Sequence, residues 1–187
     1  MICLENQKIQ KYKRKYLYKL MKSEAGAGIL PITIRKGKAW VMLGRESRDM
    51  SFPDSGKWSD FGGGVEKGET VKKCAAREGF EETMGMFGGP VTLMKLINDK
   101  LACKLTRENY TSFAIHVKYI KTLPKDFADI YRCAKEEDPK LIEDDNGFFE
   151  KDRVQWFKLE KLRKREYDII LRDHFKSILS DLCGQLL

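Results

Sequence analysis

The sequence predicts a mixed α/β domain with a mixed sheet lying between helices. Three observations carry this expectation. Apolar runs rich in β-branched residues recur along the chain, proline-free stretches with helical spacing interrupt and close them, and the order is strands, helix, several strands, helix. That order lacks the regular strand and helix alternation of a doubly wound parallel sheet.

Taken along the chain, Ala27–Ile34 and Ala39–Gly44 read as two strands joined by a Lys36-Gly37-Lys38 turn, the pattern of a β-hairpin. Residues 45–61, RESRDMSFPDSGKWSDF, are rich in Ser, Asp, Pro and Gly and read as a loop leading into the glycines at 62–64. Glu69–Thr83 contains no proline and opens on an acidic residue in what would be its first turn, which suits the positive end of a helix dipole. Gly85, Gly88, Gly89 and Pro90 end it. Val91–Ile97, Leu101–Leu105 and Thr111–Ile120 are further strand candidates, and Pro124–Ala134 a short helix followed by the acidic loop KEEDPKLIEDDNG. A strand over Val154–Lys158 precedes a terminal helix over Glu160–Leu182, where Leu162, Ile169, Ile170, Phe175, Ile178, Leu179 and Leu182 follow helical spacing.

Length and composition bound the function. A chain of 187 residues with 42% hydrophobic content fits one compact domain, here residues 25–187, preceded by a basic N-terminal arm over residues 1–24. In that arm KIQKYKRKYLYKLMK mixes lysine and arginine with Tyr12, Tyr16 and Tyr18, as a basic helix, an extended arm or a solvated leader would. The net charge of +8 favours anionic partners such as nucleotides, RNA, inositol phosphates or a lipid surface. Cys3, Cys74, Cys103, Cys133 and Cys183 are scattered, form no CxxC pair and read as reduced thiols. No apolar run approaches the roughly 20 residues that span a bilayer, and no secretion signal opens the chain, so the expected compartment is the cytosol or nucleus, with no membrane partner.

The chemistry concentrates in residues 62–83, GGGVEKGETVKKCAAREGFEET. On a helix Glu78, Glu81 and Glu82 stand at i, i+3 and i+4, within about 5–6 Å of one another. Like charges so spaced repel, and the cluster is either a solvated face or a set of hard oxygen donors for Mg²⁺ or Mn²⁺. Gly62, Gly63 and Gly64 let the main chain approach a bound group closely, offering a carbonyl to a metal or amides to a phosphate.

Gly63, Glu69, Arg77-Glu78 and Glu81-Glu82 stand at the spacing G-x5-E-x7-R-E-x2-E-E, which resembles the Nudix box, G-x5-E-x7-R-E-U-x-E-E-x-G-U with U a bulky aliphatic residue. Two positions depart from it: Gly79 occupies the first U, hollowing the helix's packing face, and Met84 stands where the box has its closing glycine, which shifts the exit turn. The resemblance runs from about Ala25 to Leu182, with LGRE before the loop and WFKLEKL at Trp156–Leu162. It implies an α/β/α sandwich with a mixed sheet and a metal-dependent hydrolase that cleaves a diphosphate linkage in a nucleoside diphosphate joined to another group. By position in the motif, Glu78 and Glu82 are implied as principal metal ligands, Glu81 as a further ligand and the Gly62 carbonyl as an additional one. Glu69 and Arg77 are implied to pair and to orient the glycine segment against the helix.

A later loop glutamate serves some relatives as ligand or general base, and Glu150 is the candidate here, with Glu143 and Glu137 behind it. Arg45, Arg48, Lys57 and Trp58 stand before the glycines, where a guanidinium could grip phosphate and an indole could stack a base. His116 and His174 read as structural. The arm and the basic stretch Lys158–Arg165 point to RNA, hence to the 5′ cap of mRNA with release of m7GDP, and the lysine and tyrosine arm, GRES and GKWSDFGGG are similar to Nudix proteins of large DNA viruses, some of which decap. Hydrolysis of diphosphoinositol or dinucleoside polyphosphates, and a binding module without turnover, are the alternatives.

Overall fold

The computed structural model describes residues 25–48, 53–143 and 147–186, so the N-terminal arm lies outside the described residues. The hairpin forms as expected: β1 (Gly26–Arg35) and β2 (Lys38–Glu46) pair antiparallel, with Arg35 opposite Lys38. Its two-residue turn places Lys36 and Gly37 at φ of 51° and 69°, the double left-handed geometry that matches the strand twist.

β1 organises the sheet. Its first half pairs antiparallel with β4 (Phe61–Gly64), its second half with β2, and along its other edge it runs parallel to β6 (Tyr110–His116). Pro31 falls between Ile29, the last residue paired with β4, and Ile32, the first paired with β2, where a missing N–H is tolerated. β5 (Leu101–Arg107) continues the sheet beyond β6, while β3 (Trp58–Ser59) and β7 (Lys151–Lys158) both pair with β2.

Side chains alternate across β1. Ala27 and Ile29 enter one core layer, and Leu30 and Ile32 enter the other. The first layer is closed by α1 (Val71–Glu82), α2 (Pro90–Asp99) and α3 (Leu123–Glu137), through Cys74, Ala75, Leu93, Ile97 and Phe127. The second is closed by α5 (Leu159–Arg163) and α6 (Asp173–Leu186), through Leu162, Phe175, Ile178 and Leu182, and α4 (Lys140–Glu143) is a short turn after α3. This is the α/β/α sandwich with a mixed sheet that the resemblance implies.

Five local expectations are corrected. Val91–Ile97 is helical: Pro90 starts the helix with its φ already suited to a first turn, and Leu93 and Ile97 are buried one turn apart while Val91 is 85% exposed. The glycines at 62–64 are strand β4, where bare Cα atoms let two strands close up, since a Cβ on Gly28 would lie 2.4 Å from the Phe61 carbonyl oxygen. Glu69 precedes the helix rather than opening it, because Thr70 is the N-cap and accepts the Lys73 N–H at 3.3 Å. β6 stops at His116. The terminal helix is two helices, interrupted because residues 167–172 extend along β3: the Trp58 N–H donates to the Ile170 carbonyl, the Arg172 N–H donates to the Trp58 carbonyl, and the Tyr167 hydroxyl accepts the Lys158 N–H.

The two departures within residues 62–85 are both accommodated. Gly79 is buried and leaves no hollow, because the Ile29 side chain fills the space: a Cβ at 79 would meet its Cδ1 at 2.6 Å. At the helix exit, the Gly85 N–H donates to the Phe80 carbonyl and the Met84 N–H to the Glu81 carbonyl, a Schellman motif whose left-handed position is held by Met84 at φ 50°. The exit turn is therefore not displaced by one residue; a methionine bears the strain that a glycine avoids.

Two stability measurements follow. Gly79→Leu is expected to lower the melting temperature, and Ile29→Ala in the same chain to recover part of that loss, a positive coupling in a double-mutant cycle. Met84→Gly is expected to be more stable than Met84→Ala by about 1 kcal/mol in denaturant unfolding, because both lose the same packing and only glycine relieves the backbone.

Candidate active site

Helix α1 and strand β4 together build a carboxylate site. Arg77 is its organiser: Nε and Nη2 donate to the Glu69 carboxylate at 3.1 and 3.0 Å, and Nη2 also donates to the Gly64 carbonyl at 3.0 Å. One guanidinium thus fastens the segment before the helix, the end of β4 and the helix itself. Its Nη1 reaches Glu78 Oε1 at 2.8 Å and Glu81 Oε2 at 3.2 Å. The role of Gly63 is steric, since a Cβ there would stand 2.5 Å from Glu78 Oε1.

Glu82 faces inward and is 3% exposed. Its Oε2 accepts the Gly62 N–H at 2.7 Å and its Oε1 lies 3.2 Å from the Lys151 ammonium. Lys151 is wholly buried and also contacts Glu46, which accepts a second cation, Arg172 Nη1, at 2.7 Å. Glu150 joins the group from the position just before β7, tethered by the Ser47 N–H to its carbonyl at 2.9 Å, and its charge bears on Glu78, Glu81 and Glu82. Gly147 sits beside Glu81, where a Cβ would come within 2.7 Å of Oε2, and Phe148 packs edge-on against Phe80 of α1.

Glu69, Glu78 and Glu81 therefore share Arg77, Glu82 and Glu46 share Lys151, and Glu150 adds a further negative charge nearby. Desolvation pushes the Glu78 carboxyl up to about 7 from an ordinary 4.5, with repulsion from Glu150 and Glu81 adding to it against Arg77. Glu81 is raised by burial in the same way, and Glu82 is held well above its ordinary value by burial, against the pull of Lys151. Glu46, with two cations, lies below its ordinary value although burial opposes it. The site is short of positive charge.

Among the described residues no three His, Cys, Asp or Glu side chains are set to hold a metal ion as they stand. Arg77 Nη1 occupies the place between Glu78 and Glu81. The donor chemistry nevertheless suits a hard dication: hydrogen-bonded, crowded carboxylates whose protonation is favoured by burial and mutual repulsion against the pull of Arg77.

The residues proposed for substrate stand apart from this cluster. Trp58 is buried in the opposite core layer, edge-on to Phe157 at 5.2 Å, so its ring offers no face to a base. Arg45 lies on β2, bonded to Asp152 at 2.7 Å, and Lys57 is bonded to Asp54 at 2.8 Å. Arg48 is exposed, with its backbone N–H on Asp152. His116 is exposed at the end of β6, and His174 lies 3.5 Å from the buried Asp60. The basic stretch Lys158–Arg165 runs along α5, on the side of the sheet away from α1, with Lys161 and Lys164 paired to Glu166 and Glu160. The sequence assigns no role to Glu46, Lys151 or Arg172: Glu46 closes the stretch LGRE without being singled out, and Lys151 and Arg172, far along the chain, belong to no motif.

Between pH 4.5 and about 7 the folded chain keeps a proton on Glu78 that the unfolded chain has released, so this contribution, full below pH 4.5, is lost as pH rises through 7. Glu81 and Glu82 act in the same direction, whereas Glu46, Glu69, Asp54 and Asp60, all lowered, contribute stability lost only as pH falls below their ordinary values. Without divalent metal, the melting temperature is expected to fall between about pH 5 and 8, with a shallower slope in Glu78→Gln and in saturating Mn²⁺. A slope unchanged in both would contradict the assignment.

Comparison with known proteins places this geometry. The family model of the NUDIX domain matches residues 22–176. An uncharacterized protein of Acanthamoeba polyphaga mimivirus is 38% identical over 71 residues, covering 37% of this chain and 23% of that protein's length. The chain is similar in fold to the Francisella tularensis bifunctional NMN adenylyltransferase/ADP ribose pyrophosphatase complexed with AMP and Mn ion, with TM-score 0.57 and 19% identity over 98% of this chain and 48% of that one. It also matches the Mycobacterium smegmatis Nudix hydrolase RenU, with TM-score 0.48 and 14% identity over 87% and 85% of the two chains. With its family model spanning most of the sequence, the chain belongs to the Nudix family.

Proposed function

We propose that this chain is a divalent-metal-dependent pyrophosphohydrolase acting on a nucleoside diphosphate joined to another group, with the 5′ cap of mRNA, released as m7GDP, as its substrate. The observation that supports the reaction class is the charge deficit around Glu78, Glu81 and Glu82, which a dication would fill. Glu78 and Glu82 would hold Mg²⁺ or Mn²⁺, with Glu81 and the Gly62 carbonyl contributing. Such an ion would neutralise the diphosphate and lower the pKa of an attacking water.

The chain's own groups have separate tasks. Arg77, through Glu69 and the Gly64 carbonyl, orients β4 against α1 and yields its Nη1 contacts when a cation enters. Glu150, carried on the segment that packs over α1, would accept a proton from water as general base. Arg48 remains the proposed phosphate contact, while Arg45 and Lys57 are engaged by Asp152 and Asp54.

The choice of capped RNA rests on the net charge of +8, which favours a long polyanion. Dinucleoside and diphosphoinositol polyphosphates are the competing substrates, and a binding module without turnover the competing class. A panel of capped RNA, free cap dinucleotide, dinucleoside polyphosphate and diphosphoinositol polyphosphate, each with Mg²⁺ and Mn²⁺, separates them. Capped RNA is expected to be cleaved faster than the free cap, with the advantage shrinking as salt rises. Glu82→Gln is expected to lower kcat by 100-fold or more, on the order of 3 kcal/mol in the barrier; equal turnover by parent and variant would remove the metal reading.

A further inference from the structure

Lys151 is the least expected charge in the molecule. It is the first residue of β7, its side chain has no exposure, and it lies among groups contributed by three separate segments. Its ammonium contacts Glu46 of β2, lies 3.2 Å from Glu82 Oε1 of α1 and is 3.5 Å from Ser59 Oγ of β3. Its stem is accommodated by Gly44, where a Cβ would stand 3.1 Å from Lys151 Cγ and 3.2 Å from Cδ. Glu46 is anchored in turn by Arg172 from the segment before α6, and Arg172 Nε reaches Asp54 at 3.1 Å. A buried ammonium is expensive to desolvate, and an apolar side chain of that length would fill the same space at less cost.

We infer that Lys151 is a positioning residue for Glu82, holding its carboxylate from one side while the β4 main chain holds it from the other. The geometry is a two-point grip: the Gly62 N–H takes Oε2 and Lys151 takes Oε1, so the carboxylate cannot turn about its terminal bond without breaking one contact. A carboxylate has roughly four acceptor sites, and the grip leaves about two for an incoming ligand. The grip is itself braced, because Glu46 holds the ammonium and Arg172 holds Glu46. The chain Arg172, Glu46, Lys151, Glu82 links the segment before α6 to the orientation of one donor on α1.

This inference rests on Glu82 being a metal ligand, and the experiment separates the two. Mn²⁺ affinity is measured by electron paramagnetic resonance on the full chain without substrate, beside the melting temperature. Lys151→Met is expected to weaken Mn²⁺ binding about tenfold or more, and to lower kcat more than it changes KM. Lys151→Met combined with Glu46→Gln removes the buried charge left behind, so the melting temperature is expected to return towards the parent's while Mn²⁺ binding stays weak. A purely structural lysine predicts the opposite: stability and affinity recover together in the double variant, which overturns the inference. Glu82→Gln is the control. If it binds Mn²⁺ as tightly as the parent, the metal reading of Glu82 fails; if it binds weakly while both Lys151 variants bind tightly, only the role of Lys151 fails.

Discussion

The interaction on which this molecule depends is the burial of more carboxylate than its own cations can balance. Glu78 and Glu82 are placed against strand β4, where water is largely excluded; Arg77 divides itself among Glu69, Glu78 and Glu81, and Lys151 between Glu82 and Glu46, which Arg172 also holds. In a low-dielectric setting an unbalanced charge is costly, and the group responds by holding protons at pH values where a free glutamate has lost them. A small, hard cation among these carboxylates, as the proposed function requires, would offset this cost.

The rest of the architecture keeps that arrangement in place. β1 serves as the common partner of β4, β2 and β6, so the glycine strand that flanks the acids is stitched to the centre of the sheet rather than to an edge loop. Close strand approach is possible because Gly28 and Gly62 face each other without Cβ atoms. The packing of α1 against Ile29, made intimate by Gly79, sets the depth of the helix over the sheet. Small residues at these positions are therefore the steric counterpart of the large charged ones beside them. Replacing either kind would move the carboxylates relative to the strand that holds them.

Two of the cations act across distance. Arg77 works locally, spanning eight residues of chain to Glu69, and its partners all lie within the same motif. Lys151 and Arg172 instead draw β7, β2 and the segment before α6 onto Glu82. The active face is thus braced by segments outside the motif as well as by the motif itself. This explains why the break in the terminal helix matters: residues 167–172 run extended beside β3, and that path delivers Arg172 to Glu46.

What the sequence by itself determined is local. Gly63, Glu69, Arg77, Glu78, Glu81 and Glu82 are legible because a helix and the turns before it translate fixed spacing into fixed geometry, and the hairpin at Lys36-Gly37 is legible because its turn chemistry is self-contained. Spacing misled where two patterns share the same letters: Val91–Ile97 reads as a strand until Pro90 is recognised as a first-turn residue, and Glu160–Leu182 keeps helical spacing across a segment that a sheet edge pulls straight. Only the tertiary structure decided that Trp58 belongs to a core rather than a binding surface, and that Glu46, Lys151 and Arg172 belong to the site. Pairing between β2 and β7 joins residues separated by 105 positions, and no local rule encodes it. Burial is likewise a property of the assembled layers, so the charges that matter most cannot be told in the sequence from those that face water.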